Sequence, residues 1–130
     1  MSKNTKRLPD SELDIMLIIW DAGEPVSRSY IEKRINEKKN LATTTILSLL
    51  SRLIDKGFVH SEKQGKSNIY SALVPENNYI QSEGKSMLEK LYGNSLKNFV
   101  ASLYDGKRVD QAELSELRAF LDEVKEGAND

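Results

Sequence analysis

The 130-residue chain has no cysteine and one histidine, His60. Without cysteine there is no disulfide, no thiolate metal site and no cysteine nucleophile. A single histidine with no clustered carboxylates makes no metal centre, so His60 reads as a packed or solvated side chain. Long apolar runs are missing too. The longest, "IMLIIW" at 15–20, covers six residues, against roughly 20 needed to cross a bilayer, so membrane insertion is not expected. "MSKNTKRLPD" is basic but is followed by no apolar stretch, unlike a secretory signal, and the cytoplasm is the expected location. There is no glycine-rich phosphate loop, no triad around His60 and no pair of apolar-flanked carboxylates. Single acids such as Asp14, Asp55 and Glu83 read as solvated helix charges, so neither an enzyme nor a cofactor is expected.

A strong net charge is also lacking, but the formal −1 averages two unlike parts. Through residue 74 there are 12 Lys and Arg against 9 Asp and Glu; from residue 75 there are 7 against 11. A basic front and an acidic rear suit a nucleic-acid contact by the first and a protein contact by the second. The length allows one small domain, or two lobes that lean on each other or on a second copy.

In the front lobe, "LPDSELDIMLIIWDAGEP" predicts a helix opening near Asp10 or Ser11 and closing at Gly23. Ser11 and Asp14 have capping-box spacing, and Gly23 suits the left-handed residue after a helix. Leu13, Met16, Leu17 and Trp20 line its inner face, widened by Ile15 and Ile19, and Trp20 reads as a core anchor. "VSRSYIEKRINEKKN" predicts a second helix capped at Ser27 or Ser29, with Ile31 and Ile35 inward and Glu32, Lys33, Arg34, Lys38 and Lys39 wet. "NLATTTILSLLSRLIDKG" predicts a third. Wound at about 100° per residue, Ile46, Leu47, Leu49, Leu50, Leu53 and Ile54 fall on one side, and Thr44, Thr45, Ser48, Ser51, Arg52 and Asp55 on the other.

Threonine is a mediocre helix former, and three in a row at a helix start suggest capping. Capping uses one of them well and leaves Thr45 and Ser48 unexplained. Short donors at the positive end of a helix can approach phosphates, and Ser48 and Arg52, one turn apart, can reach base edges in a major groove. An ordinary solvated face is the bland alternative. After Gly57, two strand-like segments at 58–63 and 68–74 join around "QGKS", with Lys63 and Lys66 flanking Gly65. Three short helices and a basic-tipped hairpin make a winged helix-turn-helix, in which helix three enters the major groove and the wing touches the adjacent backbone or minor groove.

Past Pro75 the helical pattern returns three times. "ENNYIQSEGKSMLEKLYG" carries Ile80, Met87, Leu88 and Leu91, with Gly84 weakening its middle. "NSLKNFVASLYDG" sets Leu96, Phe99, Val100 and Leu103 on one face, capped by Asn94 or Ser95 and stopped by Gly106. Asp110 and Glu113 form a capping-box pair ahead of Leu114, Leu117, Leu121 and Val124. Residues 75–130 are too few to enclose a substantial separate core, so their apolar faces need a second copy in a twofold dimer or the front lobe itself. The expected fold is mainly α with a small β-hairpin, a winged helix-turn-helix at 8–74 and a helical dimerisation region at 75–126.

The pieces "ELDIMLIIW", "TTTILSLLSRLIDKGFV" and "GKSNIYSALV" resemble the penicillinase and methicillin-resistance repressor family, which also includes copper-responsive repressors, over about residues 8 to 125. The resemblance implies a dimeric winged-helix repressor on twofold-related operators in double-stranded DNA. It places Thr43, Thr44 and Thr45 at the start of the recognition helix, Ser48 and Arg52 along it, and Lys63 and Lys66 in the wing. The copper sensors carry Cys-x-Cys pairs, which this chain lacks. The beta-lactam relatives are released when a sensor-linked protease cuts an Asn-Phe bond in the dimerisation lobe; "SLKNFVAS" supplies Asn98 and Phe99 at that place, although Phe99 also fits its helix's apolar face. The rival class is a winged-helix protein–protein adaptor without sequence preference among duplexes.

Overall fold

The computed structural model describes residues 7–129, arranged as α1 (Asp10–Ala22), β1 (Val26–Ser27), α2 (Arg28–Ile35), α3 (Thr43–Asp55), β2 (Val59–Gln64), β3 (Ser67–Ala72), α4 (Glu76–Tyr92), α5 (Leu96–Asp105) and α6 (Gln111–Asn129). It forms two compact units, one ending at Gly84 and the other beginning at Lys85, so the division falls inside α4.

The first unit is the winged helix-turn-helix. Apolar residues of all three helices meet over one core: Ile15, Met16 and Ile19 from α1, Ile31 and Ile35 from α2, and Ile46, Leu49, Leu50 and Leu53 from α3. Phe58, Val59 and Tyr70 close it from the hairpin side, and Tyr79 from the start of α4. Tyr79 packs at 5.7 Å from the Trp20 ring and edge-on at 5.8 Å from Phe58, and its hydroxyl accepts the Leu8 N–H at 2.9 Å. Trp20 is an anchor as its place in the helix predicts, with its indole N–H donating to the Val74 carbonyl at 2.8 Å.

Two local expectations are corrected and one left open is decided. The Ser11–Asp14 capping box does not form: Pro9 occupies the N-cap of α1 and no side chain caps it. Proline suits this end because its missing N–H leaves no donor unsatisfied there. Ser27, not Ser29, caps α2, accepting the Tyr30 N–H at 3.1 Å, and Glu32 is thereby free for other partners. The inner faces of α1 and α3 are narrower than the wheel suggests, since Leu17, Leu47 and Ile54 are exposed. A helix packed on one side buries a stripe of about 100°, and these residues sit at its rim.

The first hairpin strand lies one residue later than expected, the second begins one residue earlier and ends two residues earlier, and the sheet has a third strand that the sequence did not announce. The sheet order is β1-β3-β2, with Val26 opposite Tyr70 and Ser27 opposite Ile69. Two residues carry no readable alternation, so β1 is visible only through its partner. β2 and β3 pair from Val59↔Ala72 to Gln64↔Ser67, leaving Gly65 and Lys66 as a two-residue loop. Gly65 takes φ +66, a first loop position that glycine fills without strain.

α4 runs unbroken through Gly84, and the second unit comprises its last residues with α5 and α6. Ser95 caps α5 through the Asn98 N–H, and Asp110 and Glu113 cap α6 reciprocally, with N–H to carboxylate distances of 2.9 and 3.2 Å. Among the described residues every buried hydrophobic side chain lies at Tyr79 or before it, so this unit buries none in the isolated chain.

Candidate nucleic-acid interface

The candidate interface is the outer side of α3 together with the hairpin tip. Its orientation comes from the end of α3. Gly57 takes φ +82 and donates to the Ile54 carbonyl at 3.0 Å, while Phe58 N–H reaches back to Leu53 at 2.9 Å. This is a Schellman stop, whose accompanying apolar contact pairs the buried Leu53 and Phe58. It turns the chain from α3 into the hairpin within two residues. The Leu73 N–H then donates to the Phe58 carbonyl at 2.8 Å, fastening the returning strand to the same corner.

Both ends of α3 are tied to the other helices through a carboxylate. At the amino end, the Thr43 hydroxyl donates to Glu32 Oε2 at 2.7 Å, and the other Glu32 oxygen is paired with Arg28. At the carboxyl end, Lys56 Nζ reaches Glu12 Oε1 at 2.5 Å. Glu12 is 1% exposed and is the one charged residue that is buried among those described. The sequence reading passed over it, although it stands three, four and seven residues before Ile15, Met16 and Ile19, in the middle of the inner stripe, and that spacing was the signal that could have found it. Thr43 is therefore partly buried and engaged with α2, unlike the other expected contact residues, and it does not cap α3: Ala42 holds that position without a side-chain bond.

Thr44, Thr45, Ser48 and Arg52 are all exposed and make no side-chain hydrogen bond or ion pair among the described residues. Lys63 and Lys66 at the hairpin are likewise exposed and unpaired. The described cations of this unit divide cleanly. Arg7, Arg28, Arg34, Lys39 and Lys56 are spent in ion pairs, whereas Lys33, Lys38, Arg52, Lys63 and Lys66 are not. Arg34 and Lys39, expected to be wet, bridge α2 and the turn after it to Asp21 and Asp14 of α1. The Arg34 guanidinium is pushed above its ordinary value, first by its hydrogen bond to Asp21 and then by Tyr30. The structure thus leaves free positive charge on helix three and the wing while neutralising much of the remainder. His60 lies exposed on β2 opposite Ser71, and no group of three His, Cys, Asp or Glu among the described residues is placed to hold a metal.

The penicillinase repressor family profile matches residues 8–123. The chain belongs to the penicillinase repressor family. It is similar to the penicillinase repressor of Bacillus licheniformis, with 27% identity over 123 residues and 95% of each chain covered. It is similar also to the methicillin resistance regulatory protein MecI of Staphylococcus aureus, 29% identical over 121 residues, covering 93% of this chain and 98% of that one. Among solved structures, the monomeric form of Bacillus licheniformis BlaI in complex with the blaP half-operator superposes with a TM-score of 0.50 at 27% identity, over 58% of this chain and 90% of that one. The members of the penicillinase repressor family named here are regulators, not enzymes.

In this family member the rear residues expected at a subunit interface remain open in the single chain. Phe99, Val100, Leu103, Leu114 and Leu117 are half-buried, while Leu96, Leu121 and Val124 are more than half exposed. Leu91 and Phe120 add exposed apolar surface that the sequence reading left out of the seam. Phe99 stacks edge-on against Tyr92 at 5.2 Å, and Asn98 lies in the first turn of α5 with its N–H on Ser95 Oγ at 3.0 Å. No helix among the described residues is long and apolar enough to cross a membrane.

Proposed function

We propose that the chain is a dimeric, sequence-specific DNA-binding transcriptional repressor acting on twofold-related operators. The observation that carries this reading is the exposed, unpartnered face Thr44–Thr45–Ser48–Arg52 beside the unpaired Lys63 and Lys66, on a helix pinned at both ends. Membership of a family whose named members are repressors supports it. In this reading α3 of the domain at 8–74 enters the major groove, Ser48 and Arg52 meet base edges, Thr44 and Thr45 meet phosphate or base near the helix start, and Lys63 and Lys66 hold the flanking backbone. Thr43 contributes by fixing α3 to α2.

The region at 75–126 joins two copies through Leu96, Phe99, Val100, Leu103, Leu114, Leu117, Leu121 and Val124. The unit from Lys85 on buries no apolar side chain among its described residues, which supports a partner surface of the same kind. Half-sites about 34 Å apart, or a multiple of that, are then bound together, and the linkage raises the effective concentration of the second reading head. Severing the linkage releases DNA without altering the reader. The Asn98–Phe99 bond is the release point within this scheme; it is helical, so a sensor-linked protease must first open the turn that Ser95 caps.

Footprinting of purified full-length protein on its source genome, coupled to transcription from the protected promoters in vitro, tests the reading. One or a few twofold sites overlapping promoters and loss of transcript are expected. Even coating of all fragments, or protection with no effect on transcription, overturns it.

A further inference from the structure

α3 carries two exposed aliphatic side chains, Leu47 at 42% and Ile54 at 39%, although Ile46, Leu49, Leu50 and Leu53 already fill the core. On a helix surface a residue is bordered by those three and four positions away. Leu47 is thus flanked by Thr43 and Thr44 on one turn and by Leu50 and Ser51 on the next, and two of these, Thr44 and Ser51, are exposed. It stands where the buried stripe meets the hydroxyl face. Ile54 stands on the same border about 10 Å farther along, one residue from the helix end. The amino-terminal part of a reading helix is the part that reaches base edges, and Leu47 is the fifth residue of the thirteen in α3.

The hydroxyls around it discriminate weakly, because each is both donor and acceptor and suits either kind of base edge. A leucine discriminates by a different route. The major groove offers one apolar group, the C5-methyl of thymine; against amino donors or purine acceptors a leucine strips water from polar atoms and returns no hydrogen bond. We infer that Leu47 is a specificity determinant that reads thymine through its methyl group. The inference rests on the duplex-binding reading above and goes beyond it by naming the base.

The test starts from duplexes selected by the full-length protein from a random-sequence library. Each thymine of the tightest duplex is replaced singly by uracil, which removes the methyl and keeps the pairing edge. At one or more positions the unaltered protein should lose about fourfold in affinity, the effect of one methyl no longer buried. Leu47→Ala should lose nothing at those positions, and Leu47→Met, which keeps the apolar reach, should restore the penalty; this non-additivity assigns the methyl to residue 47. Leu47→Ala is expected to fold, being an exposed helical site given a strong helix former, and a thermal melt by circular dichroism checks this. Indifference to uracil everywhere, or an equal loss in Leu47→Ala, overturns the inference while leaving duplex binding intact. Failure of the library to yield any preferred duplex removes the duplex-binding reading and the inference with it.

Discussion

Removing the ammonium of Lys56 tests how α3 is held. Lys56 Nζ lies 2.5 Å from Glu12 Oε1; the Glu12 side chain is 2% exposed and that of Lys56 is 38% exposed. In Lys56→Met the stem remains and the buried carboxylate loses its cation. Breaking one side of a fully buried pair costs about 3–5 kcal/mol. Here the lysine side chain is over a third exposed, so water follows into the gap, and a loss of about 2 kcal/mol remains, the range for a hydrogen bond to a charged group. Glu12→Leu/Lys56→Met removes the stranded charge as well and should return stability to within about 1 kcal/mol of the original. Urea unfolding of the full chain at fixed protomer concentration reads both, with fluorescence of Trp20, the only tryptophan, reporting on the unit that contains the pair. If Lys56→Met is neutral, or if the double variant is as unstable as the single, the pair is not what fastens the end of α3 to α1.

Four other perturbations separate the parts of the account. Arg52→Ala should weaken preferred duplexes more than random ones if the guanidinium meets a base, by about 1–3 kcal/mol in competition titrations; unchanged affinity removes it from the interface. Lys66→Ala should lower the slope of log affinity against log salt by roughly one, and an unaltered slope takes the wing tip off the backbone. Leu117→Asp should shift sedimentation toward monomer and reduce operator affinity; retained dimer mass means that this seam faces its own chain. Thr43→Val, which keeps the branched shape and deletes the donor to Glu32, should cost about 1 kcal/mol in unfolding, and a stability unchanged within error means that the α2–α3 latch carries no weight.

The strongest local signals in the sequence were those enforced by chemistry that does not depend on distant neighbours. Gly23 ends α1 at φ +70, and Asp110 and Glu113 cap α6, because backbone conformation and local bond spacing determine both. The core stripe of α3 was readable from its period, but its width was not: how far Leu47 and Ile54 turn outward depends on the surfaces that α1 and the hairpin present. β1 went unseen because two residues form a strand only when β3 lies beside them. The open face at Thr44, Thr45, Ser48 and Arg52 was legible as an unexplained cluster of short polar groups. The engagement of Thr43 by Glu32, eleven residues earlier, was not, nor was the pairing of Glu12 with Lys56, forty-four residues later. Both are tertiary ion or hydrogen-bond pairs, and side-chain type alone does not say which of many carboxylates a donor will find.

The central claim is that the outer side of α3 lies in the major groove. Because the chain has no cysteine, Asp55→Cys introduces a single attachment point at the exposed last residue of α3, on the side of Ser48 and Thr44 but remote from the helix start. An iron chelate tethered there and activated on the selected operator cleaves the nearby sugars. The account calls for two short clusters of strand cuts, one per half-site, centred on the major groove and about one helical turn or a multiple of it apart. Cleavage spread evenly along the duplex, or absent from an operator that the labelled protein still binds, contradicts it.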